Sequence, residues 1–80
     1  MRFIATVYSH YGAIRYKKAC EQIGLSARLG PVPRALSSSC GTCVIIDASS
    51  PDQLPPFPEE IEQVAEETPT GYARYYTSQN

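Results

Sequence analysis

The chain has 80 residues and a formal net charge of -1, with 42% hydrophobic and 19% charged residues. That length allows a single domain with a core of one or two layers and argues against a deep substrate pocket within one chain, and the composition argues against disorder. Residues 1–40 hold six basic groups against the single acid Glu21, whereas residues 41–80 hold seven acids against the single Arg74. This polarity suits a protein partner or a small anion better than a nucleic-acid backbone.

Residues 3–8, FIATVY, alternate Phe3, Ala5 and Val7 on one face and predict a first strand. Ser9 is placed to cap a helix over 11–23, in which Ala13, Tyr16, Cys20 and Ile23 form an apolar stripe and Gly24 supplies the stop. A second strand is predicted at 26–31, shortened by Gly30 and Pro31. The proline- and serine-rich run PVPRALSSSCG then reads as a connection.

TCVIIDA, residues 42–48, is the most strand-like run and is expected at the centre of the sheet, with Asp47 forming a turn at its end. After the proline-rich segment 49–58, Pro58 at the first helical position, Glu59 and Glu60 in the first turn, and the stripe Ile61, Val64, Ala65 predict a second helix over 58–67. A last strand at 72–77 would carry Tyr72, Arg74 and Tyr76 on one face and Ala73 and Tyr75 on the other, followed by a frayed tail. The expected fold is α+β, a single-domain two-layer ferredoxin-like βαββαβ sandwich with two helices on one face of a four-stranded, mostly antiparallel sheet. Its uncovered face, bearing tyrosines, would suit a homodimer or a partner.

The chemistry concentrates in SSSCGTC, residues 37–43. Cys40 and Cys43 have the spacing of a dithiol redox pair, but a strand follows them where the oxidoreductase arrangement needs a helix N-terminus. A metal site would require further ligands from Cys20, His10 or a second chain, so no metal is expected. A third reading takes Cys40 as one reactive thiol, its anion supported by the backbone N–H groups and hydroxyls of Ser37, Ser38, Ser39 and Gly41. Positive charge would come from Arg34, Arg15, Lys17 or Lys18. The fourth reading is a solvated serine loop with both cysteines packed, since free cysteine is commonly buried.

His10, the one histidine, stands where the end of strand one can approach the loop before strand three, either to pair with Cys40 or to bond locally at the helix start. Cys20 reads as core. The glycines form no phosphate-binding loop, and YARYY falls in the acidic half, so nucleic acid is not expected. With an odd number of cysteines, no basic-then-apolar leader and no long apolar run, the expected setting is cytoplasmic and reducing, away from membranes.

Three signatures in this chain, Ser9-His10 before the helix, Pro31-Val32-Pro33-Arg34, and Ser37-Ser38-Ser39-Cys40-Gly41, resemble the family described as selenium or sulfur carrier-like proteins. The resemblance implies that Cys40 is the residue of interest, accompanied by Arg34 and His10, in a protein that moves sulfur or selenium. The expected partners are a donor and an acceptor protein, and no cofactor is expected. Cys43 stands where the family pattern is usually apolar, so it would resolve a persulfide on Cys40, protect it as a disulfide, or simply pack. The competing readings are a non-catalytic interaction domain with structural cysteines and a thiol–disulfide redox protein using Cys40 and Cys43.

Overall fold

The computed structural model describes residues 1–56 and 59–78. Along the chain come β1 (Arg2–Val7), α1 (His10–Gln22), β2 (Ser26–Pro31), β3 (Thr42–Asp47), a short 3-10 turn (Pro51–Gln53), β4 (Ile61–Thr68) and β5 (Gly71–Thr77). The strands form one sheet in the order β2-β3-β1-β4-β5, every neighbouring pair antiparallel.

The expected four-stranded ferredoxin-like sandwich with two helices is therefore incorrect: the described residues hold five strands and one helix. The segment assigned to a second helix, 58–67, is largely β4, paired to β1 on one side and β5 on the other. The physical reason is a bulge. Thr6 faces Gln63 but Val7 faces Ile61, so Glu62 is an extra residue in the ladder. A bulge breaks the period of two, and Ile61 and Val64, three positions apart, enter the same cluster. That spacing imitates the i, i+3 signal of a helix. Pro58, expected at the first helical position, and the tail residues Gln79 and Asn80 lie outside the described residues.

The sheet is packed on both faces. On one side Ala13, Tyr16 and Cys20 of α1 meet Phe3, Ala5, Val7, Val44, Ile46, Ile61 and Val64. Ser9 caps this helix by accepting the Gly12 N–H, and the Tyr16 hydroxyl donates to the Pro55 carbonyl at 3.1 Å, fastening the crossover between β3 and β4. Ile23, expected in the helical stripe, is 55% exposed because the helix has ended by then.

On the other side Ile4, Cys43 and Ala65 are buried under Leu36, with Val32, Ile45 and Tyr72 packed around them. The cover here is the loop after β2. The face predicted to be open is thus partly closed by the segment that carries the serines, and the central strand is β1, with β3 beside it. A second register shift, at Tyr75, puts Tyr72 and Tyr76 in different clusters rather than on one face.

Candidate functional site

The loop of residues 32–41 crosses one face of the sheet and ends beside the junction of β1 and α1. Its first half folds locally: the Leu36 N–H donates to the Pro33 carbonyl at 2.9 Å, placing Arg34 at the exposed tip of a turn, and Leu36 drops into the core. Its end is closed by the Val32 N–H donating to the Gly41 carbonyl at 3.2 Å. Gly41 has φ +77°, the left-handed conformation that glycine adopts without a side-chain penalty, and it turns the chain from the loop into β3.

Between these points each serine is held. The Ser38 hydroxyl donates to the Val7 carbonyl at 3.4 Å and accepts the Cys40 N–H at 3.2 Å. Glu62 receives the Ser39 N–H on Oε1 at 3.3 Å and the Ser39 hydroxyl on Oε2 at 2.9 Å, while the buried Thr6 hydroxyl donates to Oε1 at 3.2 Å. Gln63 Nε2 donates to the Ser37 carbonyl at 2.8 Å. Ser39's donors are therefore engaged by a carboxylate rather than turned toward the sulfur.

The three thiols are free, and they occupy different environments. Cys20 is fully buried in the helix-side cluster, and burial, with a smaller contribution from Glu21, pushes its thiol up to about 11. Cys43 is fully buried in the opposite cluster, where its Sγ donates to the Pro31 carbonyl at 3.4 Å. Burial raises its pKa against a lowering influence from Arg28. Cys40 alone keeps partial access to solvent, packed at the margin of the helix-side cluster. The Cys40–Cys43 pair of the sequence is thus split between two faces of the sheet.

His10 is the first residue of α1, exposed, and three residues beyond the Val7 carbonyl that anchors Ser38. Arg34 is exposed, and among the described residues no ion pair holds it. Arg15 and Lys17, candidates for positive charge beside Cys40, are engaged elsewhere: Arg15 Nη1 bonds Glu60 Oε1 at 2.6 Å and lies over the Tyr11 ring, and Lys17 pairs with Glu21. Among the described residues no three of His, Cys, Asp and Glu converge as a metal site, and no helix is long and apolar enough to cross a membrane. An open depression of about 440 Å³ lies at the far end of β3, lined by Met1, Leu25, Asp47 and Ala48 among others, and includes none of His10, Arg34, Cys40 and Cys43.

Sequence reasoning missed Thr6, Glu62 and Gln63, which hold the loop in place. The signal for them is Thr68 and the β-branched Ile61 and Val64, which favour a strand in a segment whose stripe has helical spacing.

The chain matches, over residues 2–77, the family described as "Putative Se/S carrier protein-like". The chain belongs to this Se/S carrier-like family. Comparison with curated proteins and with solved structures finds no match. The match runs from the first strand to the last, so the serine–cysteine loop, β4 and β5 all fall inside the family's span.

Proposed function

We propose that the protein carries sulfur or selenium on Cys40, received from one protein and delivered to another. The observation that supports this most directly is accessibility: of three free thiols, two are fully buried and Cys40 alone is open to attack. A thiolate must reach the incoming atom, so access decides which cysteine reacts.

In the loading step the Cys40 thiolate attacks the terminal sulfur of a donor persulfide. A new S–S bond forms at Cys40 as the donor's S–S bond breaks, the donor departs as a thiolate, and the transferred sulfur keeps its hydrogen. Delivery repeats the exchange with the acceptor's thiolate attacking that terminal sulfur, and Cys40 is released as a thiolate. No external oxidant or reductant is consumed. Arg34, exposed on the same loop, and His10 at the start of α1 are the polar groups we assign to accompany the anionic cargo, and Cys43 serves packing.

The test is transfer from a cysteine desulfurase supplied with radiolabelled cysteine, read on non-reducing gels. Label that Cys43→Ala retains, that Cys40→Ser loses and that thiol reductant removes supports the proposal. Equal labelling of Cys40→Ser, or none of the wild type, contradicts it.

A further inference from the structure

We propose that Glu62, assisted by Gln63, is a positioning residue that sets where Cys40 sits and how freely it is reached. This deepens the carrier reading and rests on it for the purpose of the positioned thiol.

The bulge in β4 is the starting point. In an unbroken ladder Glu62 and Gln63 would point to opposite faces. With Glu62 inserted as the extra residue, both side chains reach the serine loop, Glu62 at Ser39 and Gln63 at Ser37. Bulges re-aim side chains in this way and are over-represented beside active sites.

The grip is specific. Glu62 takes both donors of Ser39, the residue next to Cys40, and its carboxylate is itself oriented by the buried Thr6 hydroxyl. Ser38, held between the two clamped serines, carries the bond to the Cys40 N–H. Hydrogen bonds to an ionised carboxylate are stronger than neutral ones, and the residues they restrain here are exposed Ser37 and Ser39, which have no apolar burial of their own to fix them. Cys40 therefore follows from a chain of contacts that begins in a different strand.

Glutamine at position 62 preserves this chain: its carbonyl oxygen still accepts from Thr6 and from the Ser39 N–H, and its amide donates to the Ser39 hydroxyl oxygen. Alanine removes all three contacts. The experiment is the rate of Cys40 alkylation by iodoacetamide across a pH series, read by peptide mass on the full chain, with circular dichroism confirming that each variant is folded. Glu62→Ala raises the rate at least about fivefold, the scale of a single lost hydrogen bond, as the loop opens; Glu62→Gln restores it. Ser39→Ala, at an exposed position, moves the rate in the same direction and decides the question if Glu62→Ala does not fold.

Rates for Glu62→Ala and Ser39→Ala equal to wild type overturn the proposal. So does a Glu62→Gln profile shifted along the pH axis as far as that of Glu62→Ala, which would assign the effect to charge. Alkylation needs no sulfur donor, so the carrier reading can fail in its own assay without altering this result, and the reverse also holds.

Discussion

Cys40 and Cys43 are three positions apart in sequence, yet Cys40 packs against the cluster under α1 while Cys43 is sealed in the cluster on the opposite face of the sheet. A disulfide needs Cβ atoms about 4 Å apart and directed at one another, which a pair divided by the sheet does not provide. The expected result of mild oxidation is no intramolecular Cys40–Cys43 bond. Alkylation of the folded chain should modify Cys40, with Cys20 and Cys43 reacting only after denaturation; peptide mapping checks this, and rapid modification of Cys43 would sink it.

This separation was only half legible in the sequence. The alternation in TCVIID puts Val44 and Ile46 on one face and Cys43 and Ile45 on the other, but no local pattern shows that the second face is covered. Leu36 closes it, and nothing in PVPRALSSS announces that a proline- and serine-rich connection will act as a lid. SSSCG drew attention to Cys40 directly. Its restraints stayed hidden because Glu62 and Gln63 belong to a bulged strand whose Ile61 and Val64 copy a helical stripe. A one-residue insertion in a ladder is set by pairing with β1, a non-local relationship that local periodicity does not contain.

With α1 spanning 13 of the 80 residues, far-ultraviolet circular dichroism should show a sheet-dominated spectrum, and backbone amides in β4, paired on both sides, should be among the slowest to exchange. Fast exchange throughout 61–68 would contradict the topology.

Gly12 lies where α1 meets the start of β4. A Cβ at this position would fall 2.6 Å from Glu60 Cβ, too close for any contact without movement of one element. Gly12→Ala is expected to destabilise the chain by about 1–3 kcal/mol, the usual cost of overpacking, and to loosen the Arg15–Glu60 contact at the same junction. Urea denaturation measures the loss; an unchanged midpoint would show that the helix and strand are not in close approach.

Stability should fall in alkali. Cys20 in the folded chain keeps its proton up to about 11, whereas its ordinary value is 9.0. Between those values the unfolded chain binds fewer protons than the folded one. The contribution is complete below about pH 9 and is lost as pH rises through the folded value. Burial pushes Tyr16 and Cys43 upward too, so they act in the same sense. Urea midpoints should hold level to about pH 9 and then decline, with a shallower decline in Cys20→Ala; identical slopes for the two proteins would remove Cys20 from the account.

The carrier role proposed for this protein stands or falls with Cys40. Its most direct test is non-reducing intact mass spectrometry of the wild type, Cys40→Ser and Cys43→Ala after incubation with a cysteine desulfurase and cysteine. A gain of one or more sulfur atoms is expected in the wild type and in Cys43→Ala, removed by reductant and missing from Cys40→Ser. A wild-type mass that is unchanged, or that only loses two hydrogens, would contradict it.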